Sequence, residues 1–278
     1  MPTDMSFWYE LALKMAMTAT IVVFATLAVE RSGAFIGALI AALPTAASAA
    51  YIILGLEHTP AFISASAIGS LAGGAAVLIF SLCYAVLAQR HGLVLSLTVA
   101  TAVWFMAAAA SRLVDWTPVT AVIVNAVVFA ITIPASARYR HVAVLRQAGK
   151  RTPYDIPLRA LTAALAVAVV TTASHRIGSF FSGVFAVFPI VMGCSLIVLL
   201  PRLGGPAAAA MFAHAQVPLI GLALGFLSIH YLAEPIGVWW AYAVGLSICI
   251  GWNALLWLAQ PARTPTAPVN RSSDSGRG

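Results

Sequence analysis

The sequence predicts an all-α integral membrane protein with about nine transmembrane helices, and three observations support this class. Of the 278 residues, 62% are apolar and only 8% are charged, whereas a soluble domain carries about 25% charged residues. The apolar residues form continuous runs, and a helix needs about 20 of them to cross the hydrocarbon layer. These runs are rich in Ala and Leu and do not alternate, which favours helices over the strands of a membrane β-barrel.

Charged and turn-forming residues delimit the predicted spans. The leading segment "MPTDMSFWYE" has no basic n-region, and no small-residue cleavage site follows it. We therefore interpret the first span as a retained helix rather than a secretion signal. The third and eighth spans are longer than a perpendicular crossing requires and should tilt or project from the bilayer. In chain order the spans are 11–29, 33–55, 60–88, 92–111, 117–134, 158–174, 179–200, 206–231 and 236–259.

Lys and Arg residues are distributed unequally between alternate loops. Twelve lie in the loops and tail of one side, whereas only Arg112 and Arg176 lie in loops of the other side. Because basic residues are retained on the cytoplasmic side, we expect an external amino terminus and a cytoplasmic carboxyl terminus in a bacterial inner membrane. The net charge of +7 then reflects topology and contact with anionic lipids, and it gives no support for nucleic-acid binding.

An internal repeat relates two halves of the chain. The stretch "RSGAFIGALIAALPTAASAAYIILGL", residues 31–56, aligns without a gap on "RIGSFFSGVFAVFPIVMGCSLIVLLP", residues 176–201. A single connector helix between two four-helix groups gives the second copy the opposite orientation in the membrane. Such inverted repeats are typical of secondary transporters. The identical pairs are Arg31 and Arg176, Gly33 and Gly178, Phe35 and Phe180, Ala41 and Ala186, Pro44 and Pro189, Ile52 and Ile197, and Leu54 and Leu199.

The repeat and the composition divide the chain into four parts. The predicted first four-helix repeat covers residues 1–116, and a connector helix with a basic cytoplasmic loop covers 117–157. The second, inverted four-helix repeat covers 158–260. The tail 261–278 is rich in Pro, Ser and Gly, so we expect it to be disordered on the cytoplasmic side.

A proline lies in the middle of a hydrophobic helix in each repeat. Pro44 and Pro189 each remove a backbone donor and bend the helix, and the freed carbonyl groups need partners because lipid offers none. We interpret the pair as two facing broken helices that form a substrate site with Thr45, Ser48 and Ser195. The alternative is a pair of structural kinks satisfied by neighbouring helices.

Small residues recur at every fourth position before each proline, and this spacing lets helix backbones approach closely. We therefore predict tight packing along the first half of spans two and seven. The residues are Gly33, Gly37 and Ala41 in the first copy and Gly178, Ser182 and Ala186 in the second.

Polar side chains inside the spans extend the predicted site. His214 and Gln216 lie in span eight, where an imidazole is suited to carry a coupling proton; packing or hydrogen bonding is the alternative role. Glu57 and His58 follow span two and are interpreted as an outer gate, against the alternative of a solvated loop. Other polar residues have simpler predicted roles: Asn125 and Asn253 as interhelical hydrogen-bond donors, Glu10 with Lys14 and Arg112 with Asp115 as ion pairs.

Known soluble-enzyme motifs are absent, and the few acidic residues lie at helix ends. Cys83, Cys194 and Cys249 have neither metal-ligand nor disulfide spacing. We therefore expect no enzyme activity, no metal and no cofactor. The predicted function is transport or export of a small molecule driven by an ion gradient. The alternatives are a non-transporting assembly or scaffold protein of envelope biosynthesis and, third, an embedded lipid-modifying enzyme.

The segment "GALIAALPTAASAAYIILGLEH", residues 37–58, resembles the small bacterial membrane proteins called GlpM, which also place a proline and a threonine within an apolar helix. The resemblance covers about one repeat and implies a bacterial inner-membrane protein. It supplies no binding residues. The chain as a whole is interpreted as a member of a bacterial polytopic membrane protein family with an internal inverted repeat.

Overall fold

The computed structural model describes residues 9, 12–20, 23–24, 45–140, 155–189, 193, 205–206 and 208–259. Within these ranges the secondary structure is helical, with no β-strand, and a helical stretch at 12–20 precedes the longer helices. Those helices are α1 Thr45–Glu57, α2 Pro60–Leu87, α3 Leu93–Ala110, α4 Pro118–Ala137, α5 Asp155–Ala186, α6 Ala208–Ala215, α7 Pro218–Leu232 and α8 Val238–Leu258.

Five helical stretches of the described residues are long and apolar enough to cross a membrane: α2, α3 with the short turn after it, α4, most of α5, and α8. Helices α6 and α7 add a sixth span if the two are counted as one bent helix. The described part of the protein is therefore all-helical and has the helices of a multi-pass membrane protein, as its composition predicts. The total of nine spans and the orientation of the termini remain predictions.

Two of the long helices begin at the same dipeptide, Thr-Pro. Thr59 accepts a hydrogen bond from the backbone N–H of Phe62, and Pro60 occupies the first turn of α2. Thr117 forms a capping box with Thr120 at the start of α4. A threonine cap satisfies a free amide of the first turn, and a proline there loses no helical hydrogen bond. These local signals explain why the predicted starts at residues 60 and 117 agree with the structure.

Helix α2 lies at the centre of the described bundle. It packs against α1, α3, α4, α5 and α7, and 67% of its apolar window is buried, against 22% for α3, α4 and α8. In a lipid solvent the exposed apolar faces of the outer helices need no covering. Helix α2 is therefore the element against which the functional segments are positioned.

A close backbone contact joins α2 to the last turns of α5. A methyl group at Gly69 would lie 1.9 Å from the carbonyl oxygen of Phe180, and one at Gly183 would lie 1.8 Å from that of Ser66. Backbones can approach this closely only where side chains are absent. The contact therefore depends on Gly69 and Gly183, neither of which belongs to the predicted small-residue stripe.

The predicted stripe itself has a different role in the second repeat. Gly178 has a φ of 78° and open space around its α-carbon, so it breaks α5 instead of packing. Ser182 is buried but donates to the Gly178 carbonyl of its own helix at 2.8 Å. The first copy of the stripe, residues 33–41, lies outside the described residues.

The break at Gly178 separates a short half-helix, residues 179–186, from the rest of α5. The half-helix ends at Ala186, and residues 187–189 are not helical. The N–H of Gly193 donates to the carbonyl of Pro189 at 2.9 Å. In the other repeat Pro44 lies outside the described residues, and α1 is described from Thr45 onward. A helical boundary therefore lies just before Pro189 in the second copy.

Candidate functional site

The structure describes most of the predicted site. Ser48 is half-buried on α1, and Pro189 is buried at the end of the non-helical segment. The described part of α1 starts at the backbone of Thr45, but the side chain of Thr45 lies outside the described part of the chain, as do Pro44 and Ser195. His214, Gln216, Glu57 and His58 are all described.

Two fully buried serines of α2 bind the half-helix 179–186. The hydroxyl of Ser66 donates to the carbonyl of Ser179 at 2.9 Å, and that of Ser70 donates to the carbonyl of Gly183 at 2.9 Å. The last four carbonyl groups of a helix lack intrahelical partners, and Gly183 is one of these because the half-helix ends at Ala186. Ser70 therefore satisfies a carbonyl group that the helix break sets free.

Two tyrosines extend this polar connection to α1 and α8. The hydroxyls of Tyr51 and Ser70 are 2.7 Å apart, and because Ser70 donates to Gly183, Tyr51 is the donor in this pair. The hydroxyl of Tyr242 donates to the backbone carbonyl of Tyr51 at 2.8 Å. A continuous line of hydrogen bonds thus joins α8, α1, α2 and the half-helix.

The two tyrosines also border a pocket between α1, α7 and α8. Its lining is mostly apolar and includes Ser48 and Phe226. The hydroxyls of Tyr51 and Tyr242 are already hydrogen-bonded. The sequence analysis did not single out Tyr51 or Tyr242, although a buried tyrosine hydroxyl usually requires a partner.

The bend in span eight separates its two predicted site residues. Helices α6 and α7 meet at 43°. Gln216 at this bend is fully buried, and Thr132 donates to its Oε1 atom at 2.9 Å, while its Nε2 has no partner among the described residues. His214 is exposed, with its Nε2 3.3 Å from the carbonyl oxygen of Arg140. Gln216, not His214, is thus the buried polar group of the bend.

The bend follows from Pro218, which begins α7 and cannot donate a hydrogen bond to the preceding turn. The carbonyl of Val217 accepts from the backbone N–H of Ile220 at 3.2 Å and from the indole N–H of Trp252 at 2.9 Å. Arg140, in the turn after α4, donates from its Nε to the carbonyl of Ala213 at 3.3 Å. Side chains of α8 and of the turn after α4 therefore bind backbone carbonyl groups around the break.

The predicted gate residues form a charged contact. Glu57 ends α1 and pairs with Lys14. The predicted partner of Lys14, Glu10, lies outside the described residues, so that pairing stays a prediction. Only 17% of the Glu57 side chain is exposed, and its Oε2 has no hydrogen-bond partner among the described residues. Glu57 is therefore a half-buried member of an ion pair at the end of α1.

His58 contacts α5 at the same end of the molecule. Its Nε2 lies 3.0 Å from the hydroxyl of Ser174, and its ring stacks on Phe62 with centroids 3.7 Å apart. The ring centroid of His175 is 4.7 Å away. Partial burial holds the pKa of His58 below its usual value, and His175 and Lys14 lower it further, while Glu57 opposes them.

Glu57, His58 and His175 together place one potential ligand atom each within 4.8 Å of one another. The sequence analysis expected no metal site and did not single out His175. A signal was present, because the predicted topology places residues 57–58 and residue 175 in loops of the same side. Pairing these particular side chains required the packing of α1 on α5.

The remaining polar predictions have mixed outcomes. Asn125 donates to the carbonyl of Leu71 on α2 at 3.0 Å, as predicted for an interhelical donor. Asn253 instead donates to Cys249 of its own helix, one turn earlier, at 2.8 Å. The guanidinium carbon of Arg112 lies over the ring of Phe181, 4.8 Å from the ring centroid. Arg112 and Asp115 form no ion pair in the described part of the chain.

Comparison with known proteins identifies no relative from which a function can be transferred. No family model matches the sequence, and neither a curated protein nor a solved structure is significantly similar to it.

Proposed function

We propose that the protein is a secondary transporter or exporter of a small molecule that alternates access about a site between two proline-broken helices. The observation that carries the proposal is the broken helix of span seven: the half-helix 179–186 follows the break at Gly178 and ends before Pro189. Pro44 occupies the equivalent position of the sequence repeat. Broken helices at the interface of two repeats expose backbone groups to a substrate or coupling ion.

The proposed architecture is nine spans in two inverted four-helix repeats, with an external amino terminus and a cytoplasmic carboxyl terminus in a bacterial inner membrane. The repeat in the sequence and the twelve-to-two division of basic residues support it. An inverted repeat supplies the symmetry that alternating access requires, because each half adopts in turn the conformation of the other.

The contacts of α2 suggest which parts move together. The contact through Gly69 and Gly183 leaves no space for sliding, so α2 and the half-helix 179–186 move as one body. The contact from α1 to this body includes a hydrogen bond from Tyr51 to Ser70. Hydrogen bonds between membrane helices contribute only about 0.6 kcal/mol on average, so this bond is weak enough to break during a conformational change.

Gln216 supports a substrate contact at the bend of span eight. A buried amide N–H without a partner costs about 1–3 kcal/mol, and the Nε2 of Gln216 is such a group among the described residues. A substrate carbonyl, carboxylate or hydroxyl would accept from it. We place Ser48, Thr45, Ser195 and Gln216 in the substrate path, Glu57 and His58 at the outer gate, and His214 as a carrier of coupling protons.

The test is metabolite profiling of deletion and overexpression strains, followed by uptake or efflux of the altered compound in proteoliposomes. A compound that accumulates on deletion, is depleted on overexpression and crosses the proteoliposome membrane only with the wild-type protein supports transport. Flux equal to that of protein-free vesicles, for every compound that the profiles identify, contradicts it.

A non-transporting assembly or scaffold protein is the second candidate, and the apolar lining of the pocket between α1, α7 and α8 favours it. The two candidates differ in the access of water to Ser48. In a variant whose native cysteines are replaced, Ser48→Cys should react with a charged thiol reagent if a polar path reaches the site. A dry bundle leaves the same thiol unreactive in intact vesicles.

A further inference from the structure

Three potential metal ligands meet where α1 ends and where α5 approaches its break at Gly178. Glu57 closes α1, His58 follows it, and His175 lies three residues before Gly178. Their ligating atoms all lie within 4.8 Å of one another. The residues come from chain segments more than 100 positions apart, so only the folded protein assembles this cluster.

The hydrogen bonds around His58 define its protonation state. The hydroxyl of Ser174 donates its proton to the carbonyl of Thr171 at 2.7 Å, so toward His58 it acts as an acceptor. The Nε2 atom of His58 is therefore the N–H donor in their 3.0 Å contact, and Nδ1 carries the lone pair. Metal-binding histidines typically donate their second ring N–H in this way, which fixes the tautomer.

We propose that Glu57, His58 and His175 bind a divalent transition-metal ion, with Zn²⁺ the best match, and that Lys14 competes with the ion for Glu57. Two imidazoles and one carboxylate are a ligand set that Zn²⁺ uses together with water, and imidazole also suits Cu²⁺ and Ni²⁺. The proposal does not depend on transport.

The distances require only a small adjustment. Zn²⁺ binds nitrogen and oxygen at about 2.0–2.2 Å, so tetrahedral ligand atoms are roughly 3.3 Å apart. Contraction from 4.8 Å is within reach of side-chain rotation, because His175 is exposed and the carboxylate of Glu57 has an oxygen, Oε2, without a partner in the described part of the chain.

Lys14 gives the site a regulatory character. It pairs with Glu57 from the helical stretch 12–20, and a bound dication would repel its ammonium group. Ion binding should therefore release this contact between residues 12–20 and α1. Removal of the Lys14 charge should strengthen ion binding, whereas removal of a ligand should weaken it.

The experiment uses the full chain with a histidine-free affinity tag, treated with a chelator and then dialysed. Co²⁺ is titrated while its visible absorption bands are recorded, and Zn²⁺ is titrated by calorimetry and in competition with Co²⁺. We expect one saturable site. His175→Ala and His58→Ala should each weaken binding by more than about tenfold. Even the loss of a residue that only orients a ligand lowers metal affinity by about 10–100-fold. Lys14→Met should tighten binding.

His91→Ala is the matched control, because His91 is exposed in the turn after α2 and should leave affinity unchanged. Thermal unfolding of each variant with and without Zn²⁺ distinguishes a lost site from a misfolded protein: Zn²⁺ should raise the Tm of the wild type and of His91→Ala, but not that of His175→Ala. No saturable Co²⁺ binding, or equal affinity in the wild type and both ligand variants, would overturn the proposal.

Discussion

The hydroxyl of Tyr51 on α1 donates to the hydroxyl of Ser70 on α2 at 2.7 Å, and Ser70 donates in turn to the carbonyl of Gly183. One side chain of α1 is thereby connected to a carbonyl group that the end of the half-helix 179–186 leaves free. The connection joins α1 to the half-helix that ends before Pro189. A substitution in this connection should therefore affect both the stability of the protein and the proposed movement.

Tyr51→Phe should lower the stability of the protein by about 0.6 kcal/mol, the average for a hydrogen bond between membrane helices, while the ring packing on Phe226 is kept. Thermal unfolding in detergent measures the change. The matched control is Tyr84→Phe, because the buried Tyr84 hydroxyl has no hydrogen-bond partner among the described residues. A larger loss for Tyr84→Phe than for Tyr51→Phe would contradict this assignment.

Gly69→Ala should destabilise the protein by about 1–3 kcal/mol, the usual cost of overpacking a filled interior, because the added methyl group would lie 1.9 Å from the carbonyl oxygen of Phe180. Gly74→Ala on the same helix is the control, since nothing lies within 4 Å of its added methyl group. Unfolding midpoints and the yield of monodisperse protein measure both. Equal behaviour of the two variants would show that α2 and the half-helix do not pack through Gly69.

In chelator-treated protein, stability should fall with acidification through the His58 imidazole. Burial and the neighbouring His175 and Lys14 hold its pKa below the usual 6.5, against the attraction of Glu57. The unfolded chain then binds the proton more readily than the folded protein. The stability that arises from this difference in the His58 pKa is fully present above about pH 6.5. It is lost as the pH falls through that value toward the lower pKa of the folded protein.

His58→Gln removes this titration, so the melting temperature of the variant should fall less between pH 7 and pH 5 than that of the wild type. Scanning calorimetry at matched ionic strength measures the difference. Identical pH profiles for the two proteins would show that His58 does not contribute.

Local signals in the sequence predicted the starts of α2 and α4 well, because Thr59 with Pro60 and Thr117 with the following proline act through near neighbours. They did not predict that the helix of span seven ends at Ala186. The position of the close contact was not predicted. Gly183 follows the stripe residue Ser182 by one position, and which of the two faces α2 depends on the rotation of the half-helix after Gly178. Periodicity alone does not determine that rotation.

The candidate site shows the same difference between what local sequence signals predict and what packing determines. Ser48 was singled out because it follows the proline of a predicted broken helix, and Gln216 because polar side chains are expensive inside a membrane; their roles in a site stay predictions. His175 and Tyr51 were not, since each acquires its partner only when distant segments pack: His175 meets His58 of a remote segment, and Tyr51 meets Ser70 of the next helix. No spacing in the chain encodes either contact.

The proposed topology predicts that a reporter fused after Gly149 is cytoplasmic and that one fused to the amino terminus is external. The basis is the retention of Lys and Arg on the cytoplasmic side of short loops, applied to the twelve basic residues on one side and two on the other. Paired phosphatase and fluorescent-protein fusions measure the location. If both termini report the same side, the nine-span count and the inverted repeat are wrong together.

The repeated proline leads to the most direct test of the proposed site. Pro44→Ala and Pro189→Ala each restore a backbone donor. Pro189→Ala should therefore extend the half-helix into residues 187–189, and Pro44→Ala should straighten the proposed broken helix of span two. We expect both variants to fold but to lose activity per folded molecule. Thr45→Val should reduce activity less, because it removes one hydroxyl and keeps the break.

Pro134→Ala is the matched control, since Pro134 lies inside α4 and the helix continues past it. Activity is measured as flux in proteoliposomes, or as the phenotype of the deletion strain, normalised to the amount of folded protein in the membrane. A purely structural proline would change expression and leave normalised activity intact. Normalised activity equal to that of Pro134→Ala in both proline variants would therefore exclude the central site and favour the scaffold function.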